Sequence, residues 1–387
     1  MKSTNNSDRR TGICLNMIVK NETRVLERLF KSVRDYIDYY VIVDTGSTDG
    51  TQDFICNWMD AAGIEGEIHQ REWVNFGHNR QQALELAVTA DKGDWLLFID
   101  ADEELGTSDT DFFQHLKVGV TYEIEKHHGN LRYAVPHLLD IRQNRWRWAG
   151  PVHNYLQHLD GNDTRQPLKD VWIVYHSGEG AKSHGVTTRQ KFLRDAKILE
   201  EELRKNPDDT RSQFYLAQSY KDAGEYKKAL PAYRKRARMD GHLEEKFIAQ
   251  LEVGRLSIIL GRSERTVLHE LLKACELRSC RAEPLHALAR YFRERGLHAS
   301  SYVFACTGSF MTRPADRLFV EEDIYAWRLL DERSLAAYWT GRYSESKDCG
   351  EEILRRVKMG VHIDAQSIER VQKNIAFATD KLNDIAI

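Results

Sequence analysis

The sequence predicts an α/β domain, in which helices cover both faces of a mostly parallel sheet, followed by an all-helical repeat domain. Up to about residue 180, short runs rich in β-branched residues alternate with helix-like segments. This alternation is typical of parallel strands joined by helices. Beyond about Val186 the strand pattern ends, and glycines recur at similar intervals. Such recurrence indicates stacked helical hairpins.

The predicted strands of the first domain are short and apolar. They are Ile13–Val19, Tyr39–Asp44, Gly66–Gln70, Trp95–Ile99, Arg132–Leu139 and Val171–Tyr175. The helical stretches between them are Glu22–Arg34, Gly50–Ala61 and Arg80–Ala90. Because such sheets bind ligands beyond the carboxyl ends of their strands, we expect the functional residues there.

The second half reads as helical throughout. Arg189–Arg204 predicts one long charged helix, which ends near Pro207. A pattern of glycine, aromatic and small residues then recurs at Gly224, Gly261, Gly296 and Gly341, at intervals of 37, 35 and 45 residues. Two of these intervals lie close to the period of about 34 residues of tetratricopeptide-type hairpins, and the third is longer. An irregular helical bundle is the alternative, because the later copies match less well.

These patterns divide the chain into four parts. We expect a disordered tail over residues 1–11, the α/β domain over 12–185, a linking helix over 186–206 and the helical domain over 207–387.

Composition excludes several classes of protein. The net charge of -3 argues against a general nucleic-acid-binding or polybasic membrane protein. No stretch predicts a membrane span, and the first twelve residues lack the apolar run of a signal peptide. The six cysteines lack the spacing of a zinc site. These observations predict a cytoplasmic protein with reduced thiols.

The strongest chemical signal is an apolar strand that runs into acidic residues. Trp95–Ile99 leads directly to Asp100, and Asp102 follows two positions later. Residues two apart in extended backbone project to the same side, so both carboxylates can face one cation. Oxygen ligands of this kind suit Mg²⁺ or Mn²⁺.

A second signal is a strand that ends in a polar turn. Tyr39–Asp44 is followed by Gly46 and Ser47, and a helix begins shortly afterwards. A carboxylate at this position can accept hydrogen bonds from a nucleobase or a ribose. An ordinary strand–turn–helix junction is the alternative.

Together with Ile13–Glu22, these two segments occur in the same order and spacing as in family 2 glycosyltransferases of the GT-A fold. The resemblance covers roughly residues 12–180. The chain also resembles a subgroup in which tetratricopeptide-like helices follow the catalytic domain, which includes the bacterial peptide glycosyltransferases that make glycocins. The resemblance implies an inverting, metal-dependent enzyme. It would transfer a sugar from UDP-glucose or UDP-N-acetylglucosamine to a peptide or protein.

The resemblance also implies residue roles. Asp44 would contact the base, Arg80 the base or diphosphate, and Asp102 the metal, with His176 as a further ligand. The implied donor-binding residues are Val19, Asn21, Glu22, Asp44, Gly46, Ser47, Asn79, Arg80, Asp100 and Ala101. The implied ligands of Mn²⁺ or Mg²⁺ are Asp100, Asp102 and His176.

A third segment, Pro151–Leu156, resembles a Pro-Val-His-Glu-Tyr-Leu signature of the same subgroup. Asn154 stands where relatives often have glutamate, in the region that supplies the catalytic base. An asparagine cannot take a proton, so His153 is the nearest candidate for the base. Glu104, Asp140 and Glu179 remain open as alternatives.

Two tryptophans precede this segment. Trp146 and Trp148 are predicted to form an apolar wall for the acceptor, together with Asn154 and Tyr155. Packing of both rings in the core is the alternative.

Several other functions compete with this prediction. A saccharide acceptor, as in polysaccharide or lipopolysaccharide assembly, is the main alternative acceptor, and a catalytically dead scaffold is the alternative class. A nucleotidyltransferase would need a glycine-rich phosphate loop, which Lys20–Glu22 is not. Arginines at 142, 145 and 147 could contact DNA, but the nearly neutral chain does not favour this. The helical domain could also form a homodimer.

Overall fold

The computed structural model describes residues 12–128, 131–143, 145–161, 164–176, 178–180 and 187–386. The predicted tail at 1–11 lies outside the described residues, as does the start of the predicted linking helix. The chain divides into two compact units, residues 1–202 and 203–387, which are described separately below.

The described residues of the first unit form ten strands. They are β1 (Ile13–Val19), β2 (Tyr39–Asp44), β3 (Glu65–Gln70), β4 (Trp95–Phe98), β5 (Glu103–Thr107), β6 (Thr121–His128), β7 (Leu131–Asp140), β8 (Trp146–Ala149), β9 (Tyr155–His158) and β10 (Arg165–Tyr175). Eight of them form one sheet in the order β3-β2-β1-β4-β7-β6-β10-β5, and β8 pairs with β9. Four of the seven pairings in the large sheet are parallel, which confirms the predicted fold class.

Helices cover both faces of this sheet, as predicted. On one face, α1 (Leu26–Val33) and α2 (Thr51–Ala62) pack on the sheet with alternate side chains of β1, such as Ile13 and Leu15. On the other face, α3 (Phe76–Ala90) and the β8–β9 hairpin enclose Cys14, Leu96 and Phe98. Burial on both faces explains why the central strands read as continuous apolar runs.

Four strands, β5, β6, β8 and β9, were missing from the prediction. Their sequences carry several charged or polar residues, and β6 reads Thr-Tyr-Glu-Ile-Glu-Lys-His-His. None of the four contains a continuous apolar run long enough to match the pattern by which the other strands were predicted.

The remaining helices follow the sheet. They are α4 (Thr188–Lys205), α5 (Thr210–Asp222), α6 (Tyr226–Arg238), α7 (Leu243–Ile259), α8 (Glu264–Leu277), α9 (Glu283–Arg293), α10 (His298–Ser309), α11 (Leu329–Trp339), α12 (Tyr343–Lys358) and α13 (Ala365–Ala386). A π-helical turn, Ile324–Arg328, leads into α11. No helix among the described residues combines the length and the hydropathy that a bilayer span requires.

The glycines that recur in the sequence end the first helix of each of four hairpins. Gly224, Gly261, Gly296 and Gly341 have φ values of 74°, 62°, 72° and 77°. The residue after each glycine donates its N–H to the carbonyl five positions earlier, at 2.8–3.0 Å. This is the Schellman C-cap, which requires a left-handed residue and therefore favours glycine.

Small residues at the start of the second helices are buried as the repeat pattern predicts. Ala229 and Ser301 are fully buried, and Ser346 is 2% exposed. Close approach of paired helices depends on small residues at such positions. The second unit is therefore a stack of helical hairpins rather than an irregular bundle.

Candidate active site

A cavity of about 300 Å³ opens where strands β1, β4, β6 and β10 end. β6 and β10 are parallel, and β6 is linked to β4 through two antiparallel pairings, so all four strands point the same way. Their carboxyl ends therefore meet at one edge of the sheet. The cavity is lined by Ile18, Glu22, Phe76, Arg80, Asp100, Ala101, Asp102, Glu103, Lys126, Tyr133, His153, Asn154, Tyr175, Gly180 and Lys191.

The acidic motif forms a tight turn between β4 and β5. The N–H of Asp100 donates to Oε2 of Glu103 at 2.9 Å, and the N–H of Glu103 donates to the Asp100 carbonyl at 3.0 Å. The carbonyl of Asp102 accepts the N–H of His176 at 3.0 Å. These bonds fix both aspartates of the predicted pair at the cavity wall.

Two cations in the cavity neutralise two of the carboxylates. Arg80 forms an ion pair with Asp100. Lys126 forms an ion pair with Glu103, and these side chains are only 14% and 1% exposed. Asp102 has no ion pair of this kind among the described residues.

The pKa values reflect this arrangement. Burial raises the pKa of Asp100, but Arg80 and Lys126 outweigh it and leave the pKa below its usual value. Burial raises the pKa of Asp102, and the charge of Asp100 raises it further. Burial also raises the pKa of Glu103 to about 7, against the attraction of Lys126. Of these three carboxylates, Asp102 is the one without an ion pair among the described residues.

The carboxylate of Asp102 is suited to binding a divalent cation. The other two predicted metal ligands, Asp100 and His176, contact other side chains instead. Nε2 of His176 lies 3.0 Å from Oε2 of Glu104, and the carboxylate of Asp100 is bound by Arg80. The described residues contain no group of three His, Cys, Asp or Glu side chains that could hold a metal. Mg²⁺ commonly binds through one or two carboxylates plus substrate phosphates, so Asp102 suffices as the protein ligand of such a site.

Arg80 is held from three sides. It donates to the amide oxygen of Asn154 at 2.9 Å, in addition to its ion pair with Asp100. Its guanidinium lies 4.9 Å from the ring centre of Trp148, which packs edge-on against Phe98. Asn154 therefore positions a cavity cation.

The loop that carries His153 and Asn154 packs closely on the start of α3. A Cβ atom on Gly77 would lie 2.2 Å from the carbonyl oxygen of Gly150, so only glycine permits this approach. His153 has a φ of 49°, in the left-handed region, and its exposed side chain lines the cavity. The structure thus brings the candidate base to the site.

The three alternative bases do not line this cavity. Asp140 is buried and holds Arg142 through bonds of 2.8 and 3.0 Å. Glu179 binds Arg28 at 2.7 Å, and Glu104 contacts His176. His153 is the titratable side chain of the predicted loop that reaches the site.

The turns after β1 and β2 are hydrogen-bonded to one another beside the cavity. The N–H of Asn21 donates to Oγ of Ser47 at 2.9 Å, and Oδ1 of Asn21 accepts the N–H of Thr48 at 2.8 Å. The N–H of Glu22 donates to Oγ1 of Thr51 at 2.9 Å. These bonds hold the predicted nucleoside wall in place.

Asp44 is fully buried at the end of β2. Its Oδ1 accepts the N–H groups of Gly46 and Ser47, both at 2.9 Å. Its Oδ2 has no hydrogen-bond partner among the residues that the structure describes. This acceptor is buried and does not line the cavity, so the contact of Asp44 with a base N–H stays a prediction.

Two predicted donor-binding residues, Asn79 and Val19, do not line the cavity. Asn79 is buried and holds the loop before α3 through bonds to Val74 and Glu72 at 3.0 and 2.9 Å. Val19 belongs to the apolar core. Both have structural contacts instead of a place in the cavity lining.

Of the four predicted acceptor residues, two lie at the cavity or contact a residue that lines it, and two do not. Trp146 is 9% exposed and packs in the core on the β8–β9 face. This agrees with the alternative interpretation, in which its ring is a core residue. Tyr155 is 37% exposed and is not part of the cavity lining. Trp148 supports Arg80, and Asn154 lines the cavity itself.

Lys126 is the most important site residue that the sequence analysis missed. It lies on β6 on the same side of the strand as Tyr122 and Ile124, which are core residues. A lysine in register with two core side chains is an unusual pattern, because lysine is rarely buried without a partner. The register of Lys126 with these two core residues could have indicated that its side chain is buried. Tyr133 and Tyr175 lie on neighbouring strands and complete this wall.

Comparisons with known proteins agree with this geometry. Residues 14–109 match the family model described as "Glycosyl transferase family 2". The chain is 28% identical over 226 residues to the SPbeta prophage-derived glycosyltransferase SunS of Bacillus subtilis, covering 54% of this chain and 49% of that protein. The chain therefore spans about half the length of that relative.

Two further likenesses concern other parts of the chain. A TPR repeat-containing protein of Synechococcus elongatus is 36% identical over 94 residues, covering 24% of this chain and 21% of that protein. The crystal structure of S. aureus TarS 1-349 in complex with UDP-GlcNAc covers 79% of this chain and 94% of that one, with 15% identity and a TM-score of 0.36. At that TM-score the likeness does not bear on the chemistry. The segment that matches glycosyl transferase family 2, residues 14–109, lies in the first unit, and the described residues after it include an all-helical domain.

Proposed function

We propose that this chain is an inverting, metal-dependent glycosyltransferase that moves a sugar from a UDP-sugar to a peptide or protein. The observation that carries this proposal is the charge distribution of the cavity. Arg80 and Lys126 pair with Asp100 and Glu103, whereas Asp102 lines the cavity without an ion pair among the described residues. A site that holds a phosphorylated ligand at such a carboxylate needs a divalent cation between the two.

Asp102 would hold Mn²⁺ or Mg²⁺ in this site. When bound, the ion would neutralise charge that develops on the departing nucleoside diphosphate. Arg80 would contact the same group, because Asp100, Asn154 and Trp148 already fix its guanidinium at the cavity wall. Preorganised charge of this kind needs little rearrangement during the reaction.

The nucleoside would lie against the hydrogen-bonded turns after β1 and β2. Oδ2 of Asp44 supports this assignment, since it has no partner among the described residues and can accept one N–H. Uracil presents such a donor at N3, as other bases do elsewhere, so the choice of a UDP-sugar rests on the family resemblance. UDP-glucose and UDP-N-acetylglucosamine are the donors that the family resemblance implies.

His153 would act as the general base. Its side chain is exposed at the cavity, next to Asn154, on the loop where relatives carry a glutamate. An imidazole can accept the acceptor's proton at neutral pH, which the amide of Asn154 cannot. The peptide acceptor is supported by the helical hairpins, because stacked hairpins form extended surfaces that suit peptides.

Slow hydrolysis of the donor offers a direct test. The purified chain is incubated with a panel of nucleotide sugars, with Mn²⁺ or with a chelator, and release of the nucleotide is measured together with thermal stabilisation. We expect one UDP-sugar to stabilise the protein and to be hydrolysed only with the metal present. Binding without hydrolysis for every donor would instead identify a catalytically dead scaffold.

A further inference from the structure

Gly180 lines the candidate active site, although it has no side chain that could take part in the proposed transfer. It is buried and lies in the wall of the same cavity as Asp102. The chain reaches it shortly after β10, where the N–H of His176 donates to the carbonyl of Asp102 at 3.0 Å. The chain thus returns to the acidic motif once the strand has ended.

Gly180 approaches the side chain of Asp102 closely. A Cβ atom on residue 180 would lie 2.5 Å from Oδ2, 3.0 Å from Cγ and 3.4 Å from Cβ of Asp102. Contacts below 3.0 Å are essentially absent for real Cβ atoms. A side chain at position 180 and the present position of the Asp102 carboxylate therefore exclude one another.

The φ angle at position 180 does not itself require glycine. Gly178 has a φ of 86°, in the left-handed region, and a Cβ added to it would meet no heavy atom within 4 Å. The φ of Gly180 is not positive. Side chains are strained in the left-handed region, so Gly178 is needed for its conformation. Gly180 is needed instead because Asp102 occupies the space beside it.

The obstacle at position 180 is the end of a side chain, which can turn about its own bonds. No ion pair among the described residues holds the carboxylate of Asp102, and the N–H of Gly180 is one of the groups that stabilise its charged form. The segment of Gly180 is fixed from outside, because the neighbouring Glu179 pairs with Arg28 at 2.7 Å. An added methyl group would therefore displace the carboxylate.

From this contact we infer that Gly180 is a positioning residue of the site: because it has no side chain, the carboxylate of Asp102 can face the cavity, where a divalent cation would bind. The inference deepens the proposed function, since it rests on the assignment of the cation to Asp102. Groups that orient a metal ligand typically contribute about 10–100-fold to metal affinity. Gly180→Ala should therefore weaken cation binding by about that factor.

A crystal structure of Gly180→Ala without metal tests the geometric part of the inference. We expect the carboxylate of Asp102 to turn away from position 180, while β4, β5 and β10 keep their positions. An unmoved carboxylate, with residues 178–180 displaced instead, would overturn the inference. Because neither metal nor donor is needed, this result is independent of the proposed function.

Mn²⁺ binding tests the consequence for the site. EPR spectroscopy measures free Mn²⁺ during titration of the full chain with UDP present, and titration calorimetry measures the affinity for UDP in a chelator. For Gly180→Ala we expect Mn²⁺ to bind about 10–100-fold more weakly, with an unchanged melting temperature and unchanged affinity for UDP in the chelator. A purely structural role of Gly180 would lower the melting temperature and the metal-free affinity as well.

Gly106→Ala is the matched control. It also adds a methyl group against the end of a side chain, because a Cβ on Gly106 would collide with the indole of Trp172. Neither residue lines the cavity, so we expect this variant to bind Mn²⁺ as the wild type does.

Two results of the Mn²⁺ titration would overturn the inference. They are equal Mn²⁺ affinity of Gly180→Ala and the wild type, and equal losses in Gly180→Ala and Gly106→Ala. If the wild type itself bound no Mn²⁺ in the presence of UDP, the proposed function would fail. The crystal structure of Gly180→Ala would then still decide whether Gly180 positions Asp102.

Discussion

Arg80 donates a hydrogen bond of 2.9 Å to the amide oxygen of Asn154, the residue that stands where relatives often carry a glutamate. The same guanidinium pairs with Asp100 and lies over Trp148. Asn154 thus links the β8–β9 hairpin to the acidic motif through a single arginine. The amide of Asn154 cannot take a proton, but it holds a cation at the cavity.

Substitution of Asn154 tests this positioning role. In Asn154→Ala, Arg80 loses one of its three contacts, and we expect the dissociation constant of UDP to rise by up to about tenfold, as for the loss of a hydrogen bond to a charged group. Titration calorimetry measures the dissociation constant of UDP for each variant. Gln157→Ala is the matched control, since Gln157 makes an equivalent but exposed bond to Arg147 at 3.0 Å. Equal UDP affinity of both variants would contradict the role.

Asp44 offers a substitution that separates base recognition from the stability of its turn. Asp44→Asn keeps an oxygen that can accept from Gly46 and Ser47, but it replaces the free Oδ2 with an amino group. We expect UDP to bind about tenfold or more weakly, because a buried N–H of the base would lose its acceptor. Asp53→Asn, on the exposed side of α2, is the control. Unchanged calorimetric affinity for UDP would exclude the base contact.

His153 is predicted to affect turnover rather than binding. His153→Ala should lower kcat by about 10²–10⁴-fold, the usual contribution of a general base, with little change in donor affinity. His115→Ala, whose side chain is 72% exposed, serves as the control for loss of a surface histidine. Steady-state kinetics with a saturating donor measures kcat for both variants. A normal kcat for His153→Ala would place the base elsewhere.

Lys126 is predicted to stabilise the fold through its pair with Glu103. Lys126→Met leaves a carboxylate that is 1% exposed without its cation, and breaking a buried pair costs on the order of 3–5 kcal/mol. We expect a lower melting temperature for the first unit. The double variant with Glu103→Gln should recover much of the loss, because the buried charge is then gone. Equal melting temperatures for the single and double variants would show that the pair is not coupled.

The parts of the fold that depend on apolar patterning could be predicted from the sequence. Ile13–Val19 and Tyr39–Asp44 were predicted with the bounds that the structure gives, because buried central strands require continuous apolar runs. The hairpin glycines were also identified, since the Schellman cap fixes a left-handed residue at one position in each repeat.

The parts that depend on tertiary contacts could not be predicted. β6 carries alternating charges, and the burial of Lys126 follows from its pairing with Glu103, which is distant in the sequence. The motif position of Asn79 suggested ligand binding, but its amide instead closes a loop. His176 lies at the predicted strand end, yet its ring contacts Glu104. Sequence spacing indicates the edge of the sheet where a residue lies, but not which side chain it contacts.

The central claim is that Asp102 holds a divalent cation together with the donor diphosphate. Calorimetric titration of UDP into the wild type and into Asp102→Asn, each with Mn²⁺ and with a chelator, tests it most directly, with the exposed Asp111→Asn as control. We predict that Mn²⁺ strengthens UDP binding in the wild type and the control but not in Asp102→Asn. An undiminished effect of Mn²⁺ on UDP affinity in Asp102→Asn would contradict the account.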